Sequence, residues 1–163
     1  MTRASASHLL TLDEAAAFAA SCRTAGRRLV FTNGVFDVLH PGHVRYLHQA
    51  RALGDVLLVA VNTDRSVRAN KGPTRPVHPE LERAEILLSL RDVDGVVLFD
   101  DDTPIAVIDR IQPDVLVKGA DWGHDAIVGR DIVEARGGRV VRIPLADGFS
   151  STQLIRRAAA ARR

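Results

Sequence analysis

Residues 33–43 read Asn33-Gly34-Val35-Phe36-Asp37-Val38-Leu39-His40-Pro41-Gly42-His43, and they join a short apolar run to a helical pattern. The apolar run at 28–32 predicts a buried strand, and the pattern at 43–53 predicts a helix. In open α/β sheets, ligands bind beyond the carboxyl ends of the strands, where such a junction lies. This segment therefore predicts an α/β fold and indicates where its ligand binds.

Apolar runs and helical patterns alternate along the rest of the chain. The run at 56–61 is apolar at every position, which is typical of a parallel strand covered by helices on both faces. Further strands are predicted at 96–99, 115–117 and 139–143, and further helices at 79–90, 104–111, 127–135 and from 151 onward. We expect an α/β fold: a doubly wound, mainly parallel five-stranded sheet with helices on both faces, Rossmann-like in organisation. The Gly- and Pro-rich stretch at 70–79 is predicted to be an irregular loop that could close over a ligand.

The segment before the first predicted strand has a helix start of its own. Thr11 and Glu14 have the spacing of a capping box, in which each side chain accepts a hydrogen bond from the backbone of the other. The alanine-rich residues that follow predict a helix that ends near Gly26. We expect 1–27 to form a helical extension packed on the main domain, which spans 28–163.

Length, composition and charge limit the class of protein. A chain of 163 residues with 46% hydrophobic content can bury the core of one domain. The net charge is only +2, and the basic residues are dispersed except for a C-terminal group, Arg156, Arg157, Arg162 and Arg163. Because a nucleic-acid interface needs a concentrated basic patch, we expect no nucleic-acid partner.

The N-terminal sequence, the lengths of the apolar segments and the cysteine content together predict a cytoplasmic location. Asp13 and Glu14 interrupt the N-terminal apolar residues where a signal peptide needs an uncharged stretch, and no later apolar segment has the length of a membrane span. The single cysteine, Cys22, cannot form an internal disulfide or a zinc site made of several thiolates. We expect a soluble, cytoplasmic protein with no membrane partner.

The two histidines of the 33–43 segment have the spacing of a phosphate site. Pro41 suits the first turn of a helix, and Gly42 allows a ligand to approach the backbone closely. His40 and His43, three residues apart, can both face a phosphate at the helix N-terminus, where free amides and the helix dipole add attraction. The same spacing also occurs in metal half-sites and in purely structural pairs, so both alternatives stay open. The chain has neither a P-loop motif nor a Gly-x-Gly-x-x-Gly motif, so a P-loop NTPase and a standard dinucleotide-binding oxidoreductase are not supported.

Several segments of the chain recur in the same order in one known family. They are His40-Pro41-Gly42-His43 within 32–43, Asn62-Thr63-Asp64, Lys71-Gly72, Arg75-Pro76-Val77, Arg83, Val117-Lys118-Gly119-Ala120-Asp121 and Asp147-Gly148-Phe149-Ser150-Ser151-Thr152. The first resembles the signature of the cytidylyltransferase-like nucleotidyltransferase superfamily, and the set resembles the D-glycero-β-D-manno-heptose 1-phosphate adenylyltransferases. The resemblance covers about residues 28 to 157. It is to the adenylyltransferase half of the bifunctional heptose enzyme, without the kinase half.

The resemblance implies a role for each matching residue. It makes His40, His43 and Lys71 catalytic, as groups that stabilise negative charge during transfer of the adenylyl group. It assigns the sugar phosphate to Asp37, Arg75 and Arg83. The nucleotide-binding residues that it implies are Asn33, Gly34, Val35, Phe36, Gly42, Lys118, Gly119, Asp121, Ser150, Ser151 and Thr152.

Some of these residues also have ordinary structural explanations. The hydroxyls of Ser150, Ser151 and Thr152 open the last predicted helix, where they are candidates for an N-cap as well as for phosphate binding. Asp37 could cap the turn before the His40 helix or help to hold a metal ion. Arg83 could be an exposed helix residue.

The resemblance implies that the chain joins a sugar 1-phosphate to the α-phosphate of ATP and releases pyrophosphate. The implied cofactor is Mg²⁺ or another divalent cation, bound mainly through the ATP phosphates; protein ligands for the metal stay unassigned. The expected partners are ATP and the sugar phosphate, and a homodimer or larger homo-oligomer is possible.

Two other functions fit the same fold. A related cytidylyltransferase would act on glycerol 3-phosphate or another phosphorylated acceptor. The glycerol-phosphate enzymes carry an arginine three residues before the glycine of the final motif, where this chain has Leu145. A catalytically silent nucleotide sensor is the second alternative.

Overall fold

The computed structural model describes residues 8–161, except for the side chain of His124. Its strands are β1 (His8–Leu10), β2 (Leu29–Gly34), β3 (Val56–Asn62), β4 (Gly95–Phe99), β5 (Val115–Gly119) and β6 (Arg139–Ile143). Its α-helices are α1 (Leu12–Thr24), α2 (Pro41–Arg51), α3 (Asp64–Lys71), α4 (Glu80–Leu88), α5 (Ile105–Ile111), α6 (Arg130–Glu134) and α7 (Ser151–Ala160). A 3₁₀ turn at His124–Ala126 precedes α6. Part of the predicted N-terminal extension, residues 1–7, and two members of the C-terminal basic group, Arg162 and Arg163, lie outside the described residues.

The six strands form one parallel sheet in the order β1-β4-β3-β2-β5-β6. β2 lies at the centre, and the chain runs from it to β3 on one side and reaches β5 on the other. This reversal creates a crevice beyond the carboxyl end of β2, which is where doubly wound sheets bind ligands. The predicted α/β, doubly wound fold is confirmed.

Both faces of the central strands are buried. Phe31 and Leu58 pack on one face with α1 and α5, whereas Val30 and Leu57 pack on the other with α2 and α4. All six residues at 56–61 are at most 1% exposed, as the continuous apolar run predicts. The burial of the sheet between two helical layers holds the strand ends rigidly in place.

The sheet has six strands rather than the five predicted, because β1 adds a parallel edge. His8, Leu9 and Leu10 align with Gly95, Val96 and Val97 of β4. Three residues with two exposed side chains give too short an apolar run to predict a strand. The pairing with β4, and not the local sequence, therefore determines this strand.

The N-terminal helix begins as its capping box predicts. The backbone N–H of Glu14 donates to Thr11 Oγ1 at 3.2 Å, and that of Thr11 donates to Glu14 Oε2 at 2.8 Å. Ala15, Ala19 and Cys22 of α1 are fully buried in the core. A domain division at residue 28 stays a prediction.

Within 8–161, the structure has no helix with the length and apolar content that crossing a membrane requires.

Two segments depart from the predicted helices. α3 was not predicted, and its last two residues, Asn70 and Lys71, were assigned to the irregular loop at 70–79. Its only buried residues are Ser66 and Val67, so the sequence has almost no apolar periodicity there. The helix begins at the N-cap Thr63 and ends at Lys71, so the irregular loop covers 72–79. The helix predicted at 127–135 is shortened because Gly129, with φ of +87°, interrupts it.

Candidate active site

A cavity of about 740 Å³ lies beyond the carboxyl ends of the central strands. Every residue predicted for the site lines it, with the exception of Arg83. Residues from the ends of β2, β3, β4 and β5 converge there with the starts of α2 and α7. The fold therefore brings together side chains that are more than 100 positions apart in the sequence.

His40 is the N-cap of α2, and the cap fixes its protonation pattern. The backbone N–H of His43 donates to His40 Nδ1 at 3.4 Å. Because Nδ1 acts as the acceptor, a neutral His40 carries its proton on Nε2. The rings of His40 and His43 stack with their centroids 3.8 Å apart and their planes 20° from parallel. A neutral His40 in this arrangement can donate a hydrogen bond through Nε2.

His43 is held neutral and lacks a partner for one ring nitrogen. Burial lowers its pKa to about 4, and the positive charges of His40 and Lys71 act in the same direction. Burial likewise lowers the pKa of His40. The Nδ1 atom of His43 is buried without a hydrogen-bond partner among the described residues. Since a bare acceptor left unpaired is less unfavourable than an unpaired N–H, we infer that Nε2 carries its proton as well.

The strand end beside the histidines is shaped by an unusual backbone conformation. Phe36 has φ of +49°, which is uncommon for a residue other than glycine, and its ring packs 5.4 Å from that of His43. Asn33 Oδ1 is buried and has no hydrogen-bond partner in the described part of the chain. Strained backbone and unpaired buried oxygens are features that proteins keep mainly at functional sites.

Two lysines reach the cavity from opposite sides of β2. Lys71 lies at the end of α3, which follows β3, and Lys118 lies near the end of β5. Lys118 Nζ lies 3.5 Å from the carbonyl oxygen of Asn33 and 5.4 Å from the centroid of the Trp122 ring. Burial lowers the pKa of Lys118 to about 8, although Asp121 acts against that shift. Both ammonium groups are placed to attract phosphate.

The start of α7 closes the cavity. Ser150 is its N-cap, with its side chain accepting from the N–H of Gln153 at 3.5 Å. Ser151 Oγ donates to the carbonyl oxygen of Val38 at 3.0 Å, which ties α7 to the 33–43 segment. Thr152 also lines the cavity. Free amides at this ten-residue helix can bind an anion.

Asp37 faces the loop at 72–79. Its Oδ2 accepts from Arg75 Nε at 2.6 Å, and its Oδ1 accepts from the backbone N–H groups of Val77 at 2.7 Å and His78 at 3.0 Å. Burial acts to raise the pKa of Asp37, but these hydrogen bonds outweigh it and lower the pKa below its usual value. Three donors thus engage the carboxylate, and Asp37 holds Arg75 at the cavity wall; its predicted contact with the sugar phosphate stays a prediction.

Arg83 lies behind the cavity, and its predicted contact with the sugar phosphate needs correction. The side chain is 0% exposed and donates to the carbonyl oxygens of Val35 at 2.8 Å and His78 at 3.0 Å. A third donor contacts Asp64 Oδ1 at 2.8 Å. A guanidinium that is enclosed and bonded in three directions fastens the first motif to the 72–79 loop and does not reach a ligand.

Metal binding by the protein itself has little support in the geometry. The described residues contain no group of three or more His, Cys, Asp or Glu side chains placed to hold a metal ion. The alternative role of Asp37 in holding a metal does not fit, because N–H donors occupy both of its oxygens. A divalent cation would have to be held chiefly by its ligand's own phosphates.

Some cavity residues were not predicted from the sequence. They are Tyr46, Asn62, Phe99, Asp102, Thr103, Pro104, Val128, Leu145, Ala146 and Phe149. Asn62 ends β3, and Asp102 and Thr103 follow β4, so the rule that ligands bind beyond strand ends gave a usable signal. Phe149 follows no strand directly, so this rule does not report it, although the residue stands in the quoted 147–152 segment.

Comparisons with known proteins agree with this geometry. A family described as cytidylyltransferase-like matches residues 31–157. The bifunctional protein HldE of Citrifermentans bemidjiense is 52% identical over 149 residues, and that of Gluconobacter oxydans is 52% identical over 148. Each match covers 91% of this chain but 31% of the relative, so the chain spans about a third of the length of these curated relatives.

Two solved structures share the architecture. The lipopolysaccharide core biosynthesis protein from Thermoplasma volcanium aligns with a TM-score of 0.64 and 31% identity, covering 75% of this chain and all of that one. A pantoate-beta-alanine ligase from Francisella tularensis aligns with a TM-score of 0.61 over 98% of this chain and 79% of its own. At 15% identity, the second likeness concerns the fold alone.

Proposed function

The chain belongs to the cytidylyltransferase-like family, and from that premise we propose that it is a heptose-phosphate adenylyltransferase. The reaction joins D-glycero-β-D-manno-heptose 1-phosphate to ATP and gives ADP-heptose and pyrophosphate, a step towards the lipopolysaccharide core. The identity of about 50% to bifunctional HldE proteins supports this choice. We also propose a cytoplasmic location, where ATP is available; a homo-oligomer stays a prediction.

The observation that carries the proposal is the stacked histidine pair at the start of α2. His40 and His43 are uncharged, lie side by side and present donors towards the cavity. Preorganised neutral donors stabilise charge that develops on the α-phosphate without paying for reorganisation during the reaction. Lys71 and Lys118 flank the pair and supply positive charge.

The transfer can proceed in one displacement without a covalent enzyme intermediate. An oxygen of the sugar 1-phosphate attacks the α-phosphorus, a new P–O bond forms, and the bond to the pyrophosphate oxygen breaks with its electron pair. The hydroxyls and amides at the start of α7 are placed to hold the departing phosphates. Mg²⁺, if bound through the ATP phosphates, would supply further charge neutralisation.

The remaining part of the cavity suits a polyhydroxylated acceptor. Asn62, Asp102 and Thr103 lie at the ends of β3 and β4 and offer amide, carboxylate and hydroxyl groups to sugar hydroxyls. Arg75 is held by Asp37 and lines the same cavity. It is our candidate for binding the sugar phosphate. Asp37 and Arg83 act through it by fixing the loop.

The proposal is tested by measuring pyrophosphate release with Mg²⁺ for ATP, CTP, GTP and UTP. Each nucleotide is combined with the heptose 1-phosphate, with glycerol 3-phosphate or with no acceptor. We expect pyrophosphate release only for the combination of ATP with the heptose 1-phosphate. Turnover with CTP or glycerol 3-phosphate would assign the chain to the related cytidylyltransferases, and nucleotide binding with no release under any condition would make it a sensor.

A further inference from the structure

The aromatic ring of Phe149 extends the histidine stack by one member. It lies 5.9 Å from the ring of His40, with the two planes 18° from parallel, and His43 stacks on His40 at 3.8 Å. His40 therefore stacks on two nearly parallel rings. Residue 149 immediately precedes the N-cap of α7, so this ring belongs to the segment that carries Ser150, Ser151 and Thr152.

The backbone around the stack leaves little freedom for these rings. A Cβ added to Gly42 would lie 3.0 Å from Phe149 Cβ and 3.0 Å from both Cε1 and Nδ1 of His40. That separation is tighter than ordinary van der Waals contact, so the start of α2 and residue 149 are in close packing. The bond from Ser151 Oγ to the carbonyl oxygen of Val38, at 3.0 Å, fastens the same two segments at a second point.

His40 has few other restraints on its ring. Its one hydrogen bond within the described residues is the cap to Nδ1, at the long distance of 3.4 Å. A single long bond restricts the rotation of an imidazole weakly, whereas a nearly parallel aromatic neighbour limits the space into which the ring can turn. Phe149 is itself 36% exposed, and the guanidinium of Arg45 lies 5.3 Å from its ring centroid. Its partial exposure means that core burial does not explain its position.

We propose that Phe149 is a positioning residue that holds the imidazole of His40 flat against His43, with Nε2 presented to the nucleotide phosphates. The functional part of this inference rests on the proposed adenylyl transfer. It adds that the segment binding the departing phosphates and the group acting at the α-phosphate are mechanically connected through one aromatic side chain. The requirement is for a planar ring, so tyrosine should replace Phe149 and leucine should not.

The first measurement is the set of nuclear Overhauser contacts between the ring protons of His40 and His43 in the ligand-free protein. These contacts report the stacking of the two imidazoles and contain no direct contribution from the side chain at position 149. We expect them to weaken in Phe149→Leu and to stay at the wild-type strength in Phe149→Tyr. Phe18→Leu, the same change at a partly buried residue of α1 far from the cavity, is the matched control and should leave the contacts unchanged.

The second measurement is the separation of kcat from KM in the same variants. Misorientation of a transition-state donor should lower kcat by roughly tenfold to a hundredfold in Phe149→Leu, with the KM for ATP little changed. Phe149→Tyr should restore most of the rate. Unchanged contacts between the His40 and His43 rings in Phe149→Leu overturn the proposal, and so do weakened contacts with an unchanged kcat. A rise in KM alone would make Phe149 a nucleotide contact and would equally overturn it.

Failure of the proposed function would look different. If the wild-type protein released no pyrophosphate with any acceptor, the adenylyltransferase assignment would fail. The contacts between the His40 and His43 rings in Phe149→Leu and Phe149→Tyr would then decide alone whether Phe149 holds the imidazole.

Discussion

Two sets of polar side chains lie around the same strand end and differ in how fully they are paired. Asn33 Oδ1 and His43 Nδ1 are buried and have no hydrogen-bond partner within the described residues. In contrast, the charged groups of Asp37, in the first motif, and Arg83, on α4, are engaged by protein partners. The unpaired set consists of acceptors that still lack a donor, whereas the paired set is complete within the protein.

The difference shows how position in the fold separates binding from support. An unpaired buried polar group costs about 1–3 kcal/mol of stability, which a ligand that supplies the missing partner can recover. A buried arginine, in turn, is tolerated only when its donors are satisfied, and Arg83 meets that condition. The following predictions test this contrast, beginning with the paired set.

The largest effect is expected from breaking the paired set. Arg83→Met leaves Asp64 and two carbonyl oxygens without their donor, and loss of one partner of a buried pair costs about 3–5 kcal/mol. We expect urea unfolding to show a loss of stability in this range. Arg65→Met, which removes an exposed arginine paired with Asp100, is the control and should change stability little. Equal, small losses in both variants would show that Arg83 is not a structural support.

The next effect is a loss of catalysis from the unpaired set. His43→Ala removes a preorganised donor, so we expect kcat to fall by about 10²–10³-fold while the protein stays folded at the assay temperature. His48→Ala changes an exposed histidine of the same helix, paired with Asp92, and should keep wild-type turnover. Near-normal turnover in His43→Ala would remove the histidine pair from the mechanism.

The contrast also explains which parts of the molecule could be predicted from the sequence. The position of His40 and His43 follows from a strand, a turn and a helix that begins at a proline, all within 15 residues, so local rules place them correctly. The partners of Asp37 lie 38 to 41 positions away, and those of Arg83 lie 5, 19 and 48 positions away, so no single local pattern reports them. The sequence therefore located both charged residues but did not show that they support the 72–79 loop.

The same limit applies to the elements that were missed. β1 exists because β4 offers it an edge, and α3 exists because Thr63 caps it and Val67 packs beneath it. Neither element has a repeating pattern of apolar residues that is long enough to predict it from the sequence. Long elements with continuous apolar faces, such as β3, were predicted to within one residue.

A moderate effect is expected for the pH dependence of Lys118. Its ammonium group is enclosed, and the resulting pKa of about 8 means that it loses its proton as the pH rises through that value. Attraction for the nucleotide phosphates is lost with the charge, so kcat/KM for ATP should fall by about tenfold per pH unit above pH 8. Lys118→Arg keeps its charge across this range and should lack the decline. Persistence of the alkaline decline in Lys118→Arg would assign it to another group.

The smallest effect is expected at Ser150, where two explanations of one hydroxyl can be separated. As the N-cap of α7, it accepts a long bond from Gln153, so Ser150→Ala should cost at most about 1 kcal/mol of stability, and Ser150→Gly only a few tenths. If the hydroxyl also binds departing phosphate, both variants lose that contact equally and raise the KM for ATP by a similar, small factor. If it serves only as a cap, Ser150→Gly should retain the wild-type KM, because glycine caps a helix nearly as well as serine. Measuring KM and the unfolding free energy together for both variants therefore determines whether Ser150 binds a ligand in addition to capping α7 or, like the paired set, acts only within the protein.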